Sequence, residues 1–146
     1  MVYRQGTSAF ILNNKKEFIL VIGTIKHKFW KIPAGGVDYN ESQEDALHRE
    51  IKEELDIKID IIAKSKYIVK YKWPKGFKDK LNKGYIGQEK SIFIVKLKDN
   101  QTIKTEKEEI EDYKWVDIRN YKQYISIPDQ LKIMEKVIDE FKEYFE

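Results

Sequence analysis

The sequence contains no cysteine and no apolar run long enough to cross a bilayer. Without cysteine, the chain forms no disulfide framework and has no thiolate nucleophile. A membrane-spanning helix needs about 20 consecutive apolar residues. The N-terminal stretch MVYRQGTSAF also lacks the apolar segment of a signal peptide. We therefore expect a cytoplasmic protein that has no membrane partner.

Proline is scarce too, with three residues in 146, and we find no internal repeat, low-complexity tract or interdomain linker. The seven glycines and three prolines are scattered as turn and loop signals. An apolar fraction of 41% is enough for one hydrophobic core in a chain of this length. These features predict a single domain over residues 1–146.

Charge is plentiful but unevenly distributed, although the net charge is only +3. Residues 64–90 contain nine lysines against two acidic residues, whereas residues 101–146 contain twelve acidic residues against eight basic ones. A basic segment in a mixed chain favours an anionic partner. A solvated lysine-rich loop explains it equally well, so charge alone does not decide.

Five stretches are predicted as strands, of which residues 57–71 alternate apolar and polar residues, and two further stretches are predicted as helices. The first helix covers residues 42–55 and the second covers 129–144, while Gly35-Gly36 begins a loop. This order predicts a mixed sheet covered by a helix on each face. The predicted strands are residues 6–12, 17–22, 57–71, 85–97 and 113–117, and residues 29–33 are predicted to be a short extended segment that stops at Pro33.

Three glutamates lie unusually close to the core on the first predicted helix. Leu47, Ile51 and Leu55 form its apolar stripe. Glu54 lies about 20° from Leu47 on the helical wheel, and Glu50 and Glu53 share the same 100° arc. Like charges at this spacing repel each other, and the penalty grows near a core. A hard divalent cation such as Mg²⁺ would compensate for it.

The spacing around this helix resembles the Nudix box, the signature of Nudix hydrolases. Asp56 stands where that box has a glycine, and Asp tolerates the left-handed conformation expected there. The resemblance implies an α/β/α sandwich that uses Mg²⁺ or Mn²⁺ and an activated water to cleave a nucleoside diphosphate linked to another group. The matching residues are Gly35, Glu41, Arg49, Glu50, Ile51, Glu53, Glu54 and Ile57.

The resemblance also implies roles for individual residues. Glu50, Glu53 and Glu54 would bind the metal, with the Gly35 carbonyl as a possible further ligand. Arg49 would orient the acidic cluster by pairing with Glu41. The general base stays open among Glu53, Glu54 and Glu109. Glu109 enters because "EEIEDYKWVD" resembles a stretch of one Nudix branch in which a loop glutamate reaches the metal.

That branch contains bacterial RNA 5′-pyrophosphohydrolases and asymmetric diadenosine tetraphosphate hydrolases. Tyr3-Arg4, "YKWPK" at 71–75 and "YIGQEKSIFIVKL" at 85–97 resemble its segments. The lysines would neutralise a polyphosphate, and a tyrosine would stack on a base. The candidate substrate-binding residues are Arg4, Tyr71, Lys72, Lys75, Lys83, Tyr85 and Lys90.

The sequence departs from this branch where the branch recognises its base. Lys90 stands at a glutamine position, Ile92 stands at a tryptophan position, and "PDQLKIM" replaces a Phe-Lys-Arg stretch. We therefore favour cleavage of diadenosine tetraphosphate to ATP and AMP. The alternatives are an RNA 5′-pyrophosphohydrolase, a nucleoside triphosphate pyrophosphatase and a non-catalytic nucleotide sensor. The sequence does not decide the oligomeric state.

Overall fold

The computed structural model describes residues 3–25, 28–74 and 84–146. The described residues form seven strands, three α-helices and one 3₁₀ turn. In chain order these are β1 Tyr3–Leu12, β2 Phe18–Gly23, β3 Trp30–Lys31, β4 Ala34–Gly36, α1 Gln43–Leu55, β5 Ile59–Lys72, β6 Gly87–Leu97, β7 Ile110–Val116, the 3₁₀ turn Tyr121–Tyr124, α2 Pro128–Glu140 and α3 Lys142–Phe145.

The strands form one mixed sheet in the order β3-β2-β1-β6-β5, with β4 paired to β1 and β7 paired to β2. The central strands β1 and β6 run parallel, in continuous register from Tyr3 opposite Gly87 to Leu12 opposite Lys96. The other pairs are antiparallel. The start of β1 therefore lies beside the start of β6, and β4 pairs with the middle of β1.

Alternate residues of the central strands pack on opposite faces of the sheet, because successive side chains of a strand point to opposite sides. Ala9 and Ile11 belong to a core that contains the α1 residues Leu47, Ile51 and Leu55. Phe10 and Leu12 belong to a second core that contains residues of α2 and α3. The predicted α/β/α sandwich, with the box helix on one face and the C-terminal helix on the other, is thereby confirmed.

The loop predicted at Gly35-Gly36 is wrong, since both glycines belong to strand β4. They pair with Thr7 and Gly6 of β1, respectively. A side chain at Gly6 would already be tight, because a Cβ atom there would lie 3.0 Å from the Gly35 carbonyl oxygen. Glycine is thus used here for the close approach of two strands rather than for a turn.

The single C-terminal helix predicted over 129–144 is also wrong, because it is interrupted at Phe141, whose φ and ψ are −116° and 39°. The bend lets the buried Phe145 pack edge-on against Phe10 and Phe18, with ring centroids 5.3 Å and 5.7 Å away. Tertiary packing overrides helical continuity at this point. No helix among the described residues is long and apolar enough to cross a membrane.

Candidate active site

Helix α1 is capped at both ends, which fixes the direction of its acidic side chains. The Ser42 hydroxyl accepts a hydrogen bond from the Asp45 amide at 3.0 Å. At the other end Asp56 adopts the left-handed conformation, with φ 54° and ψ 42°, as its position in the sequence predicted. Its amide donates to the Lys52 carbonyl at 3.0 Å. Both caps satisfy backbone groups that a helix terminus leaves free.

Arg49 joins helix α1 to strand β4. Its Nε and Nη2 atoms donate to the two carboxylate oxygens of Glu41 at 2.7 Å and 2.9 Å, which is the pairing expected from the sequence. Nη2 also donates to the Gly36 carbonyl at 2.8 Å. The bonds from Arg49 to Glu41, together with one from the Asp38 amide, lower the pKa of Glu41 to about 2. Glu41 therefore stays ionised and holds the guanidinium in a fixed plane.

The third nitrogen of Arg49 distinguishes between two glutamates. Nη1 donates to Glu50 at 2.9 Å but approaches Glu53 only at 3.4 Å. The Glu50 side chain is 17% exposed, whereas that of Glu53 is 57% exposed. Burial raises the pKa of Glu50, and the hydrogen bond from Arg49 opposes this rise. Glu50 is thus directed inward and Glu53 outward.

Glu54 is the most deeply buried acid of the helix, with 8% of its surface exposed. Burial raises its pKa to about 8, with the neighbouring Glu50 and Glu109 acting in the same direction and Lys31 opposing the rise. A buried carboxylate beside others is unfavourable unless a cation accompanies it. Without a cation Glu54 is therefore mainly protonated at neutral pH, and a bound cation would favour its ionised form.

Glu109 approaches these acids from the segment before β7. The Glu109 carbonyl accepts from the Thr24 amide at 3.3 Å, and the Glu108 carbonyl accepts from the Thr24 hydroxyl at 2.7 Å. The two contacts anchor the segment to the end of β2. Glu108 and Glu109 both line a cavity of about 510 Å³ that Glu50 and Glu54 also line.

The same cavity is lined by three cations: Arg4, Lys31 and Lys90. The Arg4 Nε atom is buried and has no hydrogen-bond partner in the described part of the chain. Burial lowers the pKa of Lys31, and burial together with the nearby Lys31 lowers that of Lys90 to about 8. One cavity thus contains several carboxylates and several cationic side chains. This arrangement is suited to binding a metal ion and a polyanion together.

The acidic part of the cavity fits a divalent cation by its donors and its backbone. A Cβ atom at Gly35 would overlap the Glu50 carboxyl group, so the glycine leaves the carboxylate room beside the β4 backbone. Carboxylate and carbonyl oxygens are the ligands that Mg²⁺ prefers. Within residues 3–25, 28–74 and 84–146, no three acidic or histidine side chains already have the spacing of a complete metal site. The fit therefore rests on donor type, burial and charge.

Comparison with known proteins gives the family. The family model for the NUDIX domain matches residues 2–141. The chain belongs to the Nudix hydrolase family. It is 35% identical over 147 residues to an RNA pyrophosphohydrolase of a Nitratiruptor species, covering 96% of this chain and 94% of that one. It is 32% identical over 146 residues to an RNA pyrophosphohydrolase of Pelagibacter ubique, covering 96% and 92%.

Solved structures show the same fold at lower sequence identity. A C. elegans Ap4A hydrolase in a binary complex superimposes with a TM-score of 0.73 at 19% identity, covering 97% of this chain and 96% of that one. The MutT protein from Methanosarcina mazei Go1 superimposes with a TM-score of 0.70, also at 19% identity and with the same coverage. This similarity supports the Nudix fold.

The structure of this Nudix domain brings half of the predicted site residues into one cavity. Arg49 and Glu41 brace Glu50, while Glu53 remains exposed outside the cavity lining. The predicted residues that line the cavity are Gly35, Glu50, Glu54, Glu109, Arg4, Tyr71 and Lys90.

Four predicted substrate-binding residues are not placed in this cavity. Lys72 is exposed and Tyr85 is half-buried, and neither lines it. Lys75 and Lys83 lie outside the described residues. Sequence reasoning missed Lys31, which lies on β3 opposite Val21 of β2. The only signal for it in the sequence was its position four residues before Gly35.

Proposed function

We propose that this Nudix domain is a Mg²⁺-dependent pyrophosphohydrolase of nucleoside 5′-polyphosphates, and we place the 5′ end of triphosphorylated RNA first among its substrates. The observation that supports a phosphoanhydride substrate is the cavity in which Glu50, Glu54 and Glu109 occur together with Arg4 and Lys90. The choice of RNA is supported by full-length relatives that are named RNA pyrophosphohydrolases. Mn²⁺ is the alternative metal.

In the proposed reaction each group of side chains has a distinct task. Arg4 and Lys90 bind phosphate oxygens, and the unsatisfied Arg4 Nε is available for such a bond. Arg49 and Glu41 hold Glu50 in place. A divalent cation held by the carboxylates and the Gly35 carbonyl would offset the phosphate charge and activate the attacking water. A carboxylate of Glu53, Glu54 or Glu109 accepts the proton of that water.

Diadenosine tetraphosphate, which the sequence analysis favoured, remains the second candidate. The observation in its favour is Tyr71, which lines the cavity with its ring partly exposed and with the Lys90 ammonium 5.9 Å from the ring centroid. An exposed aromatic ring beside a phosphate-binding cation can stack on a second base. Free nucleoside triphosphates are a third candidate, and a nucleotide sensor without catalysis is the alternative outside the enzyme class.

A product assay with Mg²⁺ tests the proposal on triphosphorylated RNA, diadenosine tetraphosphate and deoxynucleoside triphosphates in parallel. The test variant is Glu54→Gln, and the matched control is Glu44→Gln, an exposed acid on the first turn of the same helix. We expect phosphate or pyrophosphate release from RNA, lowered about 10²-fold or more by Glu54→Gln and unchanged by Glu44→Gln.

Each result has a definite meaning. Faster conversion of diadenosine tetraphosphate to ATP and AMP would replace RNA by the second candidate. Retained nucleotide binding without turnover of any substrate would favour the sensor. Equal activity of the two variants would show that the cavity around Glu54 is not the site of hydrolysis.

A further inference from the structure

A second cavity, of about 350 Å³, adjoins the first between the sheet and α2. Its lining is mainly apolar and includes Phe10, Val69, Ile92, Ile133 and Met134. Ile133 and Met134 lie on α2, so the C-terminal helix forms one wall of this cavity. Its volume is at the lower end of the roughly 300–1,000 Å³ of small-molecule pockets.

The two cavities meet at a pair of lysines. Lys31 and Lys90 line both of them, together with Ala34 and Tyr71. Both lysines are half-buried, and neither ammonium has an ion-pair partner within 4.0 Å among the described residues. They are also close enough for the charge of Lys31 to disfavour the charge of Lys90.

Two cations in such a place are unfavourable unless an anion binds between them. Burying a charge without a partner costs free energy, and a like charge nearby adds to the cost. Glu54 attracts both lysines, but it belongs to the acidic part of the first cavity. The local anion is therefore expected to come from a ligand.

We propose that Lys31 and Lys90 bind one phosphate group at the junction of the two cavities, with the nucleoside that carries this phosphate in the apolar cavity. The next phosphoanhydride bond then faces Glu50, Glu54 and Glu109. This inference rests on the proposed function and deepens it, because it orients the substrate. It also assigns a specificity-determining role to Lys31.

A nucleoside is the occupant that the lining favours. The apolar side chains suit the faces of a base, and the amide of Gln130 on α2 provides both a donor and an acceptor for a base edge. Because Lys31 and Lys90 also line this cavity, we expect its occupant to carry a phosphate. An uncharged lipid or an apolar peptide would leave the two ammonium groups without an anion.

Calorimetric titration of the metal-free protein in EDTA with AMP and with adenosine tests this inference. The variants are Lys31→Met and Lys90→Met, which keep most of the length of the side chain and remove its charge. The matched control is Lys96→Met, which changes an exposed lysine on the same strand as Lys90. We expect AMP to bind more tightly than adenosine. Each test variant should weaken AMP binding about 10-fold or more and leave adenosine binding unchanged.

A second measurement separates ligand binding from folding. Without ligand, the melting temperature of Lys31→Met should equal or exceed that of the wild-type protein, because the substitution removes a half-buried charge. A ligand-binding defect combined with unreduced stability would not arise from a merely structural role. Lys96→Met should change neither quantity.

Three results would overturn the inference: unchanged AMP affinity in Lys31→Met, equal affinity of the unchanged protein for AMP and adenosine, or no AMP binding at all. A different result would count against the proposed function. If none of the three polyphosphates were hydrolysed while AMP binding still depended on Lys31, the phosphate site would stand without the enzymatic proposal.

Discussion

The exchange of Gly35 for alanine is expected to impair catalysis with little effect on folding. Ordinary van der Waals contact begins at 3.4 Å. A Cβ atom at Gly35 would be about 1.2 Å too close to the Glu50 carboxyl carbon. Gly35 lies in a strand and has no positive φ, so alanine fits the backbone itself. The Glu50 carboxylate must therefore retreat by about this distance and disturb its bond to Arg49.

A displacement of about 1 Å in a positioned catalytic group can cost about 10²-fold in rate. We expect Gly35→Ala to lower kcat by that order and to raise the Mg²⁺ concentration that gives half-maximal activity. KM should change little, because the phosphate-binding cations are not touched. Steady-state kinetics over a range of Mg²⁺ concentrations, with thermal melting as the check on folding, measures all three quantities.

The neighbouring glycine provides the control. A Cβ atom at Gly36 would overlap the guanidinium of Arg4 rather than a carboxylate. Gly36→Ala should therefore raise KM and leave the Mg²⁺ dependence nearly unchanged. The reasoning would be refuted if Gly35→Ala had normal kcat and Mg²⁺ dependence, or if the two variants showed the same kinetic defect.

Three further predictions concern stability. In EDTA at pH 8, Glu54→Gln should melt at a higher temperature than the unchanged protein, because an amide replaces a buried carboxylate with acidic neighbours. Mg²⁺ at 100 times its dissociation constant should stabilise the unchanged protein by about 2.7 kcal/mol and the variant much less; equal stabilisation would argue against a metal at Glu54. Burial raises the pKa of Tyr121 to about 12, so the free energy of unfolding should fall as the pH rises from 10 through 12, by about 1.4 kcal/mol at pH 11. Tyr121→Phe should not show this fall in the free energy of unfolding. Parallel pH profiles of the wild-type protein and Tyr121→Phe would contradict the argument. Asp56→Gly should raise the free energy of unfolding by about 0.5 kcal/mol in urea titrations, because glycine adopts φ 54° without strain. A lower free energy of unfolding would show that the contacts of the Asp56 side chain stabilise the fold by more than the strain of its backbone destabilises it.

The sequence alone was sufficient for the sandwich and for the helix that carries the acids, since alternating strands and the stripe of Leu47, Ile51 and Leu55 are local patterns. The same wheel placed Glu54 beside the core, where the structure has it buried. It did not show that Glu53 would lie outside the lining of the cavity. Which part of the arc is covered depends on how β4 pairs in the sheet and on the segment before β7, which is distant along the chain.

Other features depended on tertiary contacts that leave no local signal. Glycines favour loops in isolation, and only the pairing with β1 makes Gly35 and Gly36 a strand. A lone lysine on a two-residue strand has no periodicity to analyse, so Lys31 was missed. Its position became visible only when the β2–β3 register and the wall formed by α2 were known.

The parallel pairing of β1 with β6 has a consequence for how the protein folds. Ser8 and Ser91, which are hydrogen-bonded across this pair, lie 83 positions apart in the sequence. Bringing such distant segments together carries a loop-closure cost in entropy before any contact repays it, and folding slows as contacts become less local. Arg4 on β1 and Lys90 on β6 depend on this late pairing for their place in the cavity. In refolding experiments, hydrolytic activity should therefore recover more slowly than the far-ultraviolet signal of the local helices.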